Sequence, residues 1–142
     1  MRINGQADSL KSVVDTPFGK VGGLNCWKRI KPLLRHYEYS QGVEIHVTGR
    51  SPFWKQPKDI PWPYHVTAEA ESRAYQFTAF EGATFVLVCT QMLTAENEDR
   101  NKLTDRPFCE APGRGFSMIY GPDGAPLVEL LAPDEEYTLR RY

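Results

Sequence analysis

The sequence predicts an α/β fold in which helices and strands pack in layers. Strand-like segments alternate with two helix-like segments, and hairpin signals stand near both ends of the chain. A continuous apolar run from Ala83 to Cys89 has the length of a strand and is typical of a strand covered on both faces. Because no internal repeat and no clear interdomain linker interrupt these segments, we expect residues 1–142 to form a single domain.

The first predicted unit is a hairpin that ends at a cysteine. Residues 10–16 are rich in β-branched side chains, residues 17–20 have the composition of a turn, and residues 21–25 return as a second strand. Two consecutive glycines in the returning strand indicate a bend or a close approach of two backbones. The hairpin therefore places Cys26 just before the next predicted helix.

A helix, a strand and a long loop follow. Apolar residues at helical spacing, with a proline tolerated only in a first turn, place the helix over residues 31–41. Residues 43–48 alternate apolar and polar side chains, as a strand does. Residues 49–63 form a long loop that contains Trp54 and Trp62. Loops of this length are often functional, and a loop pinned by its aromatic rings is the open alternative.

The second predicted helix follows Thr67, a good N-cap, and ends at Gly82. Arg73 and Glu81 lie about two turns apart on this helix, and we interpret them first as a buried structural pair and second as an interface contact. Its buried stripe is predicted to contain Val66, Ala70, Ala74, Phe77 and Glu81.

The C-terminal part of the chain is predicted to contain three strands. The apolar run gives a strand over residues 83–90, and a loop follows over residues 91–113. Strands over residues 115–120 and 126–131 flank a tight turn and form a second hairpin. The remaining tail is charged and has no pattern.

Composition excludes several classes of function. Charge is nearly balanced, with 17 basic and 18 acidic residues, and no basic arm is present, so nucleic acid is not an expected partner. The longest apolar run is too short to span a bilayer, and the N-terminus has no secretory signal. The three cysteines have no metal-type spacing, so no metal or other cofactor is predicted, and a reducing, cytoplasmic location is expected.

Cys26 is the candidate functional residue. A thiol at the end of a strand and before a helix lies where backbone N–H groups favour the thiolate, which is a frequent position for a nucleophilic cysteine. A small buried structural cysteine fits the same position. Cys89 lies inside the apolar strand and is predicted to be core, whereas Cys109 lies in a loop and has no assigned role.

The residues around Cys26 carry a family resemblance. The stretch Gly23-Leu24-Asn25-Cys26-Trp27 resembles the nucleophile motif of the nitrilase branch of the carbon–nitrogen hydrolase superfamily. The resemblance covers about residues 8–131 and is closest to fungal nitrilases and cyanide hydratases. Further stretches resemble, in the same order, the family's segments after that motif: residues 32–34, 39–42, 44–47, 72–77, 80–86 and 115–124.

The resemblance implies a fold, a reaction and a set of site residues. The fold is a four-layer α-β-β-α sandwich of which this chain supplies a part. The reaction is hydrolysis of a small nitrile to a carboxylic acid and ammonia by a Glu-Lys-Cys set, with Cys26 as nucleophile; cyanide hydratase relatives release an amide instead. The resemblance implies that Trp27 walls the substrate pocket, with core packing as the open alternative, and that the full domain is a homo-oligomer. Trp54, in the long aromatic loop, is predicted either to line the substrate pocket at its entrance or to anchor the loop.

Two departures from the family pattern qualify this reading. The family's base and lysine lie well upstream of its nucleophile, whereas 25 residues precede Cys26 here, so we expect little or no turnover from this chain alone. Lys28 stands where the family commonly has glutamate. The chain is therefore interpreted as a nitrilase-type domain truncated at both ends. The alternatives are a non-catalytic fragment that binds relatives through its second helix, and a small thiol-reactive protein.

Overall fold

A computed structural model describes residues 10–51, 61, 63–105 and 116–129 of the chain. Its centre is one five-stranded sheet whose strands follow one another in chain order. The three inner strands are parallel, and each outer strand is antiparallel to its neighbour. This mixed sheet confirms the α/β prediction. The strands are β1 (Val14–Thr16), β2 (Gly19–Gly22), β3 (Ile45–Arg50), β4 (Phe85–Thr90) and β5 (Met118–Tyr120).

The N-terminal hairpin forms where the sequence predicts it, with shorter strands. β1 pairs with β2 so that Thr16 lies opposite Gly19. Gly19 adopts a φ of +119°, which L side chains rarely adopt, so the turn requires a glycine at this position. The Thr16 hydroxyl donates to the Gly19 carbonyl at 2.7 Å and closes the turn.

The two predicted helices are present as α1 (Pro32–Ser40) and α2 (Ala68–Gly82). Pro32 lies in the first turn of α1, where its missing N–H costs no intrahelical hydrogen bond. The Thr67 hydroxyl accepts a hydrogen bond from the Ala70 N–H, which confirms the predicted N-cap of α2. Local capping signals therefore locate both helices to within a residue or two.

A third helix, α3 (Ala95–Arg100), replaces part of the loop predicted over residues 91–113. Thr94 and Asn97 form a capping box at its start, in which each side chain accepts from the other residue's backbone N–H. The loop prediction was wrong here because the capping box stabilises a helix start within this polar segment. No helix within the described ranges has the length and apolarity needed to cross a bilayer.

α2 buries a different face from the predicted stripe. Tyr75 and Ala79 are fully buried, whereas Phe77 and Phe80 remain 53% and 67% exposed. The ring of Tyr75 stacks on that of Phe116 with centroids 6.2 Å apart, and such an aromatic contact outweighs the small alanines of the predicted stripe. The core between α2 and the sheet comprises Tyr75, Ala79, Val86, Val88, Phe116, Met118 and Tyr120.

Both long helices cover the same face of the sheet. His46 and Val86, which are paired across β3 and β4, are fully buried on the helix side. On the opposite side, Val47 and Phe85 are 38% and 41% exposed. The prediction that the apolar strand is covered on both faces is therefore wrong for the residues that the structure describes, because α1 and α2 lie together on one side.

An ion pair joins α1 to α2. Arg35 Nε donates to Glu81 Oε2 at 2.7 Å, and the Tyr39 hydroxyl donates to the same oxygen at 3.1 Å. The predicted pair of Arg73 and Glu81 is wrong, because Arg73 instead binds Glu69, which lies one turn away on the exposed face of α2. Burial, followed by the neighbouring Glu81 carboxylate, raises the pKa of Tyr39.

The Arg35–Glu81 pair predicts a pH dependence of stability. The hydrogen bond that Glu81 accepts from Arg35 holds the pKa of the Glu81 carboxyl below the ordinary 4.5. A depressed carboxyl pKa stabilises the fold above the unfolded-state value, and this stabilisation is lost as the pH falls through the folded-state pKa. We expect Glu81→Gln to lower the free energy of unfolding by up to about 1 kcal/mol at neutral pH, since the pair is partly exposed.

Urea unfolding of both proteins across the acid range measures this effect. The difference between wild type and Glu81→Gln should shrink from about pH 5 to about pH 3, as the wild-type carboxyl takes up its proton. A difference that stays constant over that range would show that the carboxylate charge contributes nothing.

Candidate active site around Cys26

Cys26 is the first residue of a short 3₁₀ helix, Cys26–Ile30, that follows β2. Its φ of 52° lies in the left-handed region, which residues other than glycine seldom adopt and which is common at functional sites. The Lys28 N–H donates to the Asn25 carbonyl at 3.1 Å and closes the turn around the cysteine. α1 begins at Pro32, close to the predicted start, and the five-residue 3₁₀ helix lies between the thiol and α1.

The segment before the cysteine is fixed against β3. A Cβ atom on Gly23 would overlap the backbone oxygen of Val47, so this contact requires a glycine. The Gly23 N–H donates to Glu38 Oε1 at 3.0 Å, and the Thr48 hydroxyl donates to the Leu24 carbonyl at 2.9 Å. These contacts confirm the close backbone approach predicted from the paired glycines.

A cavity of about 280 Å³ opens beside the Cys26 thiol at the carboxyl ends of β3 and β4. Ligands of parallel α/β sheets commonly bind at this edge. Its wall combines polar and apolar surface in about equal parts, and Arg50 adds a cation. Within the described ranges, the cavity is lined by Asn25, Cys26, Gly49, Arg50, Ser51, Cys89, Thr90 and Gln91.

Of these residues, Cys26 is predicted for the site from the sequence. Arg50, Thr90 and Gln91 are not predicted by any local pattern, because only the parallel pairing of β3 with β4 brings the ends of these strands together. Cys89 was predicted to be core, and that prediction was wrong. Its side chain lies on the uncovered face of the sheet, where it is exposed and lines the cavity.

The family model for carbon–nitrogen hydrolases matches residues 3–140 of the chain. The chain belongs to the carbon–nitrogen hydrolase family. It is 58% identical over 127 residues to a nitrilase of Talaromyces marneffei, covering 88% of this chain and 39% of that protein. It is 40% identical over 136 residues to a cyanide hydratase of Armillaria gallica, covering 96% of this chain and 38% of that protein.

Solved structures of nitrilase-superfamily proteins share the fold of this carbon–nitrogen hydrolase. The Nit3 protein of Saccharomyces cerevisiae superposes with a TM-score of 0.59 at 16% identity, over 89% of this chain and 38% of that one. A carbon–nitrogen hydrolase of Helicobacter pylori superposes with a TM-score of 0.61 at 17% identity, over 87% and 40%. These comparisons confirm the predicted family and its α/β fold, and the chain spans about two fifths of the length of the relatives it matches.

Of the two tryptophans predicted for the pocket, the structure describes only Trp27. Trp27 directly follows the nucleophile candidate and is 47% exposed. Its ring meets that of His65 edge-on, with centroids 5.4 Å apart, and it is not among the described residues that line the cavity. Trp54 lies outside the described residues, as do Trp62 and Cys109. A pocket role for Trp27 and Trp54 stays a prediction.

The helix of Cys26 also carries a buried cation. Arg29, in the same 3₁₀ helix as Cys26, is buried and forms an ion pair with Glu71. The guanidinium of Arg29 also lies over the ring of Tyr75, 3.7 Å from its centroid. Burial lowers the pKa of Arg29, and the neighbouring Tyr75 opposes that shift. Lys28 is exposed.

A second buried pair, Glu38 and His46, contacts the segment before Cys26. His46 Nδ1 lies 2.8 Å from Glu38 Oε2, and both side chains are inaccessible to solvent. The other oxygen of Glu38 accepts from the Ser12 hydroxyl at 2.9 Å as well as from the Gly23 N–H. His46 is thus fully buried between the sheet and the helices. In the part of the chain that the structure describes, no three potential ligand residues cluster as a metal site would require.

Proposed function

We propose that this carbon–nitrogen hydrolase segment carries the nucleophile of a nitrile-hydrolysing enzyme, and that Cys26 is that nucleophile. The observation that carries the proposal is the placement of Cys26, in a left-handed backbone conformation and in the wall of a cavity that also offers hydrogen-bonding groups. The curated relatives named nitrilase and cyanide hydratase support a nitrile as substrate. A cytoplasmic location and a homo-oligomeric state of the full domain belong to the same proposal.

The proposed reaction begins with attack by the Cys26 thiolate on the nitrile carbon. A carbon–sulfur bond forms, the nitrile nitrogen takes up a proton, and a thioimidate results. Water then adds to the thioimidate carbon, and ammonia leaves to give a thioester acyl-enzyme. A second water releases the carboxylic acid and restores the thiol, so that one nitrile and two waters yield one acid and one ammonia. Release of the amide before ammonia is lost gives the hydratase outcome.

The residues around the cavity have separate parts in this scheme. Asn25, Thr90 and Gln91 offer hydrogen-bonding groups to a polarised nitrogen or to the attacking water. The general base and the lysine are those that the family resemblance implies, and they lie on segments that precede the nucleophile in the family. Cys26 is the one member of the catalytic set that the motif places on this chain.

Ammonia release tests the proposal. Benzonitrile, phenylacetonitrile and cyanide are incubated with the chain and with Cys26→Ala, and Cys89→Ala serves as the matched control because its thiol lines the same cavity. We expect any ammonia release by the wild type to fall to the no-protein rate in Cys26→Ala and to stay within about twofold in Cys89→Ala, since loss of a covalent nucleophile removes most of the rate. Release that survives Cys26→Ala would refute the proposal. Parallel detection of acid and amide distinguishes the nitrilase from the hydratase outcome.

A further inference from the structure

A buried carboxylate connects the helix of Cys26 to the wall of the cavity. Glu71, in the first turn of α2, forms ion pairs with both Arg29 and Arg50 through its two oxygens. The side chains of Arg29, Arg50 and Glu71 are 3%, 10% and 9% exposed, so the whole cluster is removed from water. One carboxylate therefore bridges two arginines that come from two different elements.

Each arginine has a defined place relative to the candidate nucleophile. Arg29 follows Cys26 by three positions in the same 3₁₀ helix and is packed on the ring of Tyr75. Its carbonyl accepts from Arg35 Nη1 at 2.9 Å, which fixes the backbone at this point. Arg50 ends β3 and lines the cavity. The Glu71 carboxylate thus pairs with one cation from the helix of Cys26 and with a second cation at the cavity wall.

Stability alone does not account for this arrangement. A buried ion pair commonly gains about as much Coulomb energy as it loses in desolvation, and apolar residues of similar size often replace it without cost. A bridging carboxylate does, however, fix the directions of two guanidinium groups. We propose that Glu71 is a positioning residue that keeps Arg50 at the cavity beside Cys26. This inference rests on the proposed role of Cys26 and deepens it.

Two alkylating reagents of similar shape measure the position of that cation. Iodoacetate is anionic and iodoacetamide is neutral, and each alkylates a thiolate with loss of iodide. The rate with iodoacetate divided by the rate with iodoacetamide at Cys26, measured by peptide mapping, rises with the positive charge near the sulfur. The measurement is made at an ionic strength of about 0.01 M. The Debye length is then roughly 30 Å, so salt screens the charge near the sulfur only weakly. The same ratio at Cys26 in urea-unfolded chain gives the reference without the fold.

Glu71→Gln distinguishes two effects of Glu71 on the alkylation ratio, the placement of Arg50 and the negative charge of the carboxylate itself. If Glu71 positions Arg50, the ratio falls by about threefold toward the unfolded reference, although a negative charge has been removed. If both arginines stay in place without it, the loss of that negative charge raises the ratio. If Glu71 serves only the fold, both rates change together and the ratio stays constant. A raised or constant ratio overturns the proposal.

Further variants keep the test decisive. Glu69→Gln is the matched control, because Glu69 lies on the same helix but pairs with Arg73 on the surface, and its ratio should equal that of the wild type. Glu71→Asp keeps the charge and should restore part of the ratio. Arg50→Gln should lower the ratio as Glu71→Gln does, and the double variant should lower it no further, since the two residues act as one unit.

These measurements need no turnover, so their failure can be told apart from failure of the proposed function. A chain that releases no ammonia still reports the position of Arg50 through its thiol. Circular dichroism confirms the fold of each variant. If Glu71→Gln does not fold, the alkylation ratio at Cys26 is measured in Arg50→Gln and Glu71→Asp instead. A ratio equal to that of the wild type in both variants overturns the proposal.

Discussion

Replacing Glu38 with alanine is expected to lower the free energy of unfolding by about 3–5 kcal/mol, because it leaves buried partners of that carboxylate unpaired. Glu38 is 1% exposed and lies 2.8 Å from the fully buried His46. It also accepts hydrogen bonds from the Gly23 N–H and the Ser12 hydroxyl. Removal of one carboxylate therefore loosens α1, β3 and the segment before Cys26 at the same time.

Urea unfolding followed by circular dichroism measures this loss. Glu38→Gln retains an acceptor oxygen for the Gly23 N–H and should cost less than the alanine variant. Glu69→Ala removes an exposed helical carboxylate that pairs with Arg73, and it should cost under about 1 kcal/mol. If Glu38→Ala costs no more than Glu69→Ala, the Glu38–His46 pair does not support the fold as described.

Replacing Gly23 with alanine is expected to destabilise the chain by about 1–3 kcal/mol, the usual cost of overpacking a well-packed site. The new methyl group would overlap the backbone oxygen of Val47, which cannot rotate away as a side chain can. Relief requires the cysteine segment to move away from β3. We therefore also expect altered alkylation kinetics at Cys26 in this variant.

Gly49→Ala is the matched control for this substitution. Its Cβ would lie 2.8 Å from Asn25 Oδ1, the end of an exposed side chain that can swing aside. We expect a cost under about 1 kcal/mol, since alanine is also less costly than glycine in a strand. Equal costs for the two variants in urea unfolding would show that the close approach of Gly23 to β3 is not tight.

The sequence predicted those features that depend on short stretches of chain. Gly19 and its neighbours determine the hairpin, Pro32 and Thr67 determine where the helices begin, and the motif around Cys26 indicates the family. Each of these signals lies within a few residues of the feature that it specifies. The predicted turns and helix starts are observed in the structure because capping and turn geometry do not depend on distant partners.

The features that the sequence did not predict depend on distant partners. The buried face of α2 is decided by the contact of Tyr75 with Phe116, and the partner of Glu81 is Arg35 on another helix. The cavity wall combines the Cys26 segment with the ends of two strands, and no local pattern marks Arg50 or Gln91 as neighbours of a thiol. Tertiary packing sets these pairings, so they follow only from the sheet order and its register.

Peptide mapping after incubation with a nitrile tests the central claim most directly, because a covalent adduct identifies the attacking thiol and needs no complete turnover. The chain is incubated with phenylacetonitrile, quenched in acid and digested. The mass of each cysteine-containing peptide is then measured by mass spectrometry. We expect a mass increase equal to the nitrile, or to its acyl product, on the Cys26 peptide, with the Cys89 peptide unmodified. An adduct on Cys89 with none on Cys26, or equal adducts on both, would contradict the assignment of Cys26 as the nucleophile.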